Sequence, residues 1–323
     1  MTISLPHRFR RLRHHQRLRE LVKEQHIHRD DLILPLFIEE GLASPIEIPT
    51  MPGVLRYGEK QLPAAIKEAA SRDIKAVILF GVSHHKDAIG SDTWRNDGLV
   101  ARMIQIAKDA VPEMLVISDN CFCEYTDHGH CGVVENNDVE NDLTLVNLQK
   151  QAIACAEAGV DMLAPSAMMD GQIAAMREAL DSAGFSHLPI MSYSTKFASA
   201  FYGPFRDAVD SQFKGTRDTY QMDIANGREA LAESLQDEME GADILMVKPA
   251  MVFLDVVAAI RQQSERPLAV YQVSGEYSMI KAAANAGIMD ERALVLETLL
   301  SFKRAGANLI LTYFAKEIAD WIS

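Results

Sequence analysis

Eight short apolar runs, separated by helical patterns, constrain this chain more than any other feature. LILPLF (32–37), KAVILFGV (75–82), MLVISD (114–119), DMLAPS (161–166), PIMSYS (189–194), DILMVK (243–248), LAVYQV (268–273) and NLILTYF (308–314) are bounded by turn-forming residues. Their hydrophobicity is continuous rather than alternating, the pattern of strands buried on both faces of a parallel sheet. Between most of them lie helix-period segments such as LPAAIKEAASRD, LVARMIQIAKDAVP and LTLVNLQKQAIACAEAG, and Gly159, Gly184, Gly241, Gly287 and Gly306 each close a periodic stretch. Strand and helix alternating eight times predicts an α/β fold, a TIM (β/α)8 barrel over residues 31–323. A doubly wound open sheet has a similar rhythm, but no GxGxxG follows the first strand.

Residues 1–30 precede the first strand and fall outside that core, so they are read as an N-terminal arm for subunit contacts. The arm is basic: from His7 to Arg29, Arg8, Arg10, Arg11, Arg13, Arg17, Arg19, Lys23 and Arg29 stand against only Glu20 and Glu24. A mitochondrial presequence would also be Arg-rich, but this run contains acids and leads straight into a strand. The chain as a whole carries a net charge of -13, which argues against a nucleic-acid or anionic-membrane surface and for a small-molecule or protein partner. No apolar stretch is long enough to span a bilayer, and the cytoplasm is the expected compartment. In a reducing compartment the four cysteines read as metal ligands or buried thiols rather than disulfides.

Strand interiors are apolar, so a lysine at the carboxyl end of a parallel strand faces either the mouth of the barrel or an acidic partner. Here there are two, Lys196 after the fifth run and Lys248 at the end of the sixth. Adjacent strands lie about 4.8 Å apart, so the two amines would share a pocket. Like charge and desolvation both oppose protonation there, and at least one amine should be nucleophilic near neutral pH. That is a requirement of Schiff-base chemistry on a ketone. One such lysine would suit a class I aldolase with a structural zinc.

Cys121, Cys123 and Cys131, in C-x-C-x7-C spacing, begin at the end of the third run. Three thiolates suit Zn2+ and leave a fourth position for water or substrate, although His128 or His130 as a fourth ligand would close the site. Asp119 and Asp127 flank them as second-layer or turn residues, and Cys155 reads as a buried thiol. After the fifth run, KFASAFYGPFRDAVDSQFKGTRDTYQMD has the composition of an active-site lid. Its Arg206 and Arg217 suit a substrate carboxylate or, given Asp207, Asp210 and Asp218 nearby, surface ion pairs. Ser274 and Tyr313, at the ends of the seventh and eighth runs, place hydroxyls at the same mouth.

SYSTKFASAFYGPFRDA, MVKPA, YQVSGEY, APSAMMDG and the triple-cysteine segment together resemble the porphobilinogen synthase (5-aminolevulinate dehydratase) family. The resemblance implies condensation of two 5-aminolevulinate molecules to porphobilinogen in tetrapyrrole (heme) synthesis, by a homo-oligomer, commonly an octamer. It implies that Lys248 and Lys196 form the imines with the propionate-side and acetate-side substrates. Arg206, Arg217 and Gln221 would hold one substrate, and Ser274 and Tyr313 the carboxylate of the other. Having all three cysteines places the chain with the zinc-dependent members, and NGREALAESLQDEMEGAD points to Glu233 at an allosteric Mg2+ site.

Overall fold

A computed structural model of the chain describes residues 6–209 and 215–322. Eight parallel strands form the barrel: β1 Leu32–Glu39, β2 Ala76–Val82, β3 Leu115–Asn120, β4 Met162–Pro165, β5 Met191–Lys196, β6 Ile244–Lys248, β7 Leu268–Gln272 and β8 Leu309–Thr312. They neighbour one another in the order β4-β3-β2-β1-β8-β7-β6-β5, and the ring closes through a parallel bridge between Leu163 and Ile190. Each of the eight apolar runs is a strand, to within two residues at either end. The shift that matters is at β5, which runs on to Lys196 instead of ending at Ser194.

The outer layer contains α1 Leu62–Ser71, α2 Leu99–Ala110, α3 Asn141–Glu157, α4 Gln172–Ser182, α5 Gly227–Glu240, α6 Leu254–Gln263, α7 Ser274–Asn285, α8 Glu291–Ala305 and α9 Ala315–Trp321. Gly241 and Gly306 end α5 and α8 with φ of 108° and 117°, a region that disfavours residues bearing a Cβ. Two short strands, Ile46–Glu47 and Leu55–Gly58, add a hairpin to β1. Among the described residues no helix is long and apolar enough to cross a membrane.

The pairing of β5 with β6 carries an irregularity that sets the site. Met191 and Ser192 lie opposite Ile244 and Leu245, whereas Thr195 and Lys196 lie opposite Val247 and Lys248. Strand β5 therefore has one more residue than β6 between those pairs, a β-bulge. Strand side chains alternate with period 2, so a one-residue slip exchanges the faces of everything beyond it. The bulge brings Lys196 level with Lys248, both pointing into the mouth.

Ahead of the barrel, Phe9–Arg13 forms a 3-10 turn and Gln16–Leu21 a short helix, and neither buries a single residue. Towards its end this segment grips the barrel: Ile27 packs against the core, and the Arg29 guanidinium donates to the Ala319 and Ile322 carbonyls.

Candidate active site

The carboxyl ends of the strands enclose a cavity of about 270 Å³. Lys196, Lys248, Arg206, Arg217, Gln221, Ser274, Tyr313 and Cys123 all line it, together with Asp119 and Glu124. The residues singled out at five separate strand ends and in the lid thus converge on one chamber, as a barrel with a single functional mouth requires.

Lys248 stands among aromatic rings. Its Nζ lies 4.6 Å from the centroid of Tyr271, 5.0 Å from Tyr193, and 5.4 Å from both Tyr202 and Phe205. Burial, reinforced by the Lys196 charge, pulls its pKa down to about 7, so about half of it is neutral amine at neutral pH. Lys196 goes the other way. Burial would lower it, but the sulfurs of Cys131, Cys121 and Cys123 and the Asp119 carboxyl outweigh that and raise its pKa. Its ammonium donates to the Ser166 carbonyl at 2.6 Å. One amine is a ready nucleophile, and the other begins charged, next to a group of acids.

The thiols of Cys121, Cys123 and Cys131 have their sulfurs within 4.8 Å of one another, all buried, with Cys121 and Cys123 3.4 Å apart. Among the described residues neither histidine joins them. His128 donates to the Ala88 carbonyl, and the His130 ring meets the Tyr220 hydroxyl. Three convergent soft donors with one, Cys123, facing the cavity fit a thiophilic ion with an open position, not a closed structural zinc. Asp127 is exposed and off the cavity wall, so of the two flanking acids only Asp119 belongs to the site.

Glu124 was not singled out by spacing, yet it is buried beside Cys123, whose Sγ lies 3.1 Å from its Oε2. Burial and the neighbouring Asp119 push its pKa up to about 7. An acid directly after a candidate thiol ligand was the available signal. Glu124 Oε1, Asp119 Oδ1 and Gln221 Nε2 are buried polar atoms with no hydrogen-bond partner. Such atoms are costly unless a ligand or water meets them.

The lid segment contributes described residues to the chamber lining. It contains a 3-10 turn, Ala200–Tyr202, and a short helix, Gly203–Ala208; Asp210 lies outside the described residues. Its base is pinned where the Ala198 amide donates to the Met222 carbonyl and the Met222 amide to the Lys196 carbonyl. Arg217 donates to the Gly129 carbonyl at 2.9 Å, tying the lid to the cysteine loop. Ser274 lines the cavity, but its hydroxyl already accepts from the Phe205 amide at 2.9 Å and reaches the Phe201 carbonyl at 3.3 Å. The Tyr313 hydroxyl pairs with that of Tyr271 at 2.9 Å. Glu233 does not line this chamber: on α5 it faces a second cavity with Asp170 and Glu229.

A parallel barrel whose mouth combines paired lysines, one held near neutrality, with three thiols and a lid bearing two arginines defines a lyase of the carbonyl-condensing class. The model of the delta-aminolevulinic acid dehydratase family matches residues 6–321. The delta-aminolevulinic acid dehydratase of Escherichia coli (strain K12) is 56% identical over 317 residues, covering 98% of each chain. That of Helicobacter pylori is 51% identical over 315 residues, 97% of this chain and 98% of the relative. The crystal structure of the Toxoplasma gondii ME49 enzyme, in complex with its reaction product porphobilinogen, superposes with a TM-score of 0.96 at 45% identity, covering 98% of this chain and 92% of that one. This chain belongs to the delta-aminolevulinic acid dehydratase family and is a lyase.

Proposed function

We propose that the chain condenses two molecules of 5-aminolevulinate to porphobilinogen, supplying tetrapyrrole synthesis, with Lys248 and Lys196 each capturing one substrate ketone as an imine. The observation that carries this reading is the register-matched lysine pair, with Lys248 held at about 7 in its aromatic pocket. Neutral Lys248 attacks the first ketone and water leaves as the imine forms. Lys196 needs to lose a proton before it can do the same. Asp119 and Glu124, the nearby buried acids, are suited to accept it. Arg206, Arg217 and Gln221 hold one substrate from the lid, and Ser274 and Tyr313 border the place of the other's carboxylate. C–C and C–N bonds then join the two, and release of the amines gives the pyrrole.

Cys121, Cys123 and Cys131 would hold Zn2+, whose Lewis acidity would polarise a substrate carbonyl or orient its amine. The class I aldolase reading calls for a closed structural metal and one essential lysine; Cys123 on the cavity wall favours the condensing enzyme instead.

Two further assignments belong to this reading. Residues 1–30 serve as an arm on a neighbouring copy within a homo-oligomer, the octamer of the family resemblance; support comes from Phe9 and Leu21, large apolar side chains that are 78% and 81% exposed. Glu233 takes Mg2+ in the second cavity. Burial, then Asp170 and Glu229, raises its pKa, a strain that a cation relieves. Asp218 and Gln221 of the lid line both cavities and would connect the ion to the active site.

The test is incubation of the full-length protein with 5-aminolevulinate, with and without a zinc chelator, followed by borohydride trapping and mass spectrometry. Modification at Lys248, with pyrrole formation lost on chelation and restored by zinc, is the expected result. Zinc-replete protein that gives neither adduct nor pyrrole would refute the reading.

A further inference from the structure

Glu276 is fully buried at the third residue of α7. A carboxylate removed from water requires partners, and this one takes them from the backbone. Its Oε2 accepts from the Val273 amide at 2.9 Å and its Oε1 from the Met251 amide at 2.7 Å. Val273 follows β7, while Met251 is three residues beyond Lys248. One side chain therefore fastens the turn leaving β6 to the start of α7.

The two residues before Glu276 grip the lid. Ser274 accepts from Phe205 and reaches the Phe201 carbonyl. At Gly275 an added Cβ would stand 2.5 Å from the Phe201 carbonyl oxygen, so only glycine admits the lid backbone that close. The lid in turn touches the other side of Lys248, whose carbonyl accepts from the Tyr202 hydroxyl at 3.2 Å and from the Phe197 amide at 3.1 Å. Rings from the two flanking segments, Phe197 and Phe253, stack at 3.8 Å. The lid thus contacts Lys248 directly, Glu276 anchors the turn three residues beyond it, and both attach at a single helix end.

We propose that Glu276 is a positioning residue for the imine-forming lysine, coupling lid docking at Ser274 and Gly275 to the placement of the Lys248 amine. The inference rests on the reading of Lys248 given above. A glutamine at 276 cannot substitute: its amide has one acceptor oxygen, and its NH2 would face a second backbone donor. One of the two amides would lose its partner and the turn its anchor.

The experiment compares wild type with E276Q, both full-length and zinc-loaded, by the rate of borohydride-trapped adduct at Lys248 with 5-aminolevulinate, per folded molecule and as a function of pH. Misplacement of a reacting group by about 1 Å costs about 10²-fold, and a fall of that order is expected in E276Q. The pH midpoint should also rise as the amine leaves its dry pocket. A purely structural glutamate would lower the melting temperature while leaving trapping rate and midpoint unchanged, which would overturn the proposal. If wild type is trapped elsewhere than Lys248, the functional reading falls and this inference with it; if wild type is trapped there and E276Q is unaffected, only the inference falls. Should E276Q not fold, hydrogen exchange of wild type with levulinate, the substrate without its amine, decides. Residues 249–253 and 200–208 should gain protection together, and protection of one without the other would refute the coupling.

Discussion

Replacing Lys196 by methionine should raise the pH at which Lys248 becomes reactive. The two amines flank the same ring, with their Nζ atoms 5.8 and 5.0 Å from the Tyr193 centroid, so they are at most about 11 Å apart. At an effective dielectric constant of about 20, unit charges at that limit repel by about 1.5 kcal/mol, which is about one pH unit. Methionine removes the charge and keeps an unbranched apolar side chain. Only the neutral amine attacks a ketone, so imine formation increases as pH rises through the Lys248 pKa, about 7 in the native protein. In K196M that midpoint should move up by about one unit or more, cutting the trapping rate at neutral pH about fivefold and leaving the alkaline plateau unchanged. The assay is first-substrate trapping with borohydride across pH, read at Lys248 by mass spectrometry; it needs no turnover and so does not depend on the second imine. An unchanged midpoint would mean that burial alone sets the pKa, and a lower one would contradict the repulsion outright.

Cys123→Ser should abolish pyrrole formation and lower bound zinc, with the circular dichroism spectrum retained, because serine is a poor ligand for this ion; elemental analysis beside an activity assay checks it. Gly275→Ala drives a Cβ to 2.5 Å from the Phe201 carbonyl oxygen, and overpacking of this kind costs about 1–3 kcal/mol. The displaced lid should raise KM, and an unchanged KM in steady-state assays would count against the close approach at Gly275. Removing residues 1–20 takes away Phe9 and Leu12, both exposed in the single chain, and should lower the mass seen by light scattering; an unchanged mass would count against the arm. In Glu233→Gln, stimulation by magnesium should disappear while magnesium-free activity persists, whereas equal stimulation would remove Glu233 from the ion site.

The barrel was legible in the sequence because each strand records its own burial. A strand covered on both faces has to be apolar throughout, so LILPLF, KAVILFGV and DILMVK declare themselves without reference to their neighbours. The lysines at strand ends and the cysteines at short spacing were legible for the same reason: an ammonium ending an apolar run, or three thiols in one loop, is a local anomaly. Tertiary structure alone decided what those groups became. Whether Lys196 meets Lys248 depends on a bulge in β5, which is a property of pairing between strands about 50 residues apart in sequence. The Lys248 pKa comes from burial between β5, β7 and the lid and from the Lys196 charge, Glu124 came to the cavity wall by being buried beside Asp119, and the histidine rings face Ala88 and Tyr220. Glu276 stands inside YQVSGEY with no local anomaly to mark it. Its grip on the Met251 amide exists only because closing the barrel sets β6 beside β7, and desolvation and register are features of the assembled ring that no single segment contains.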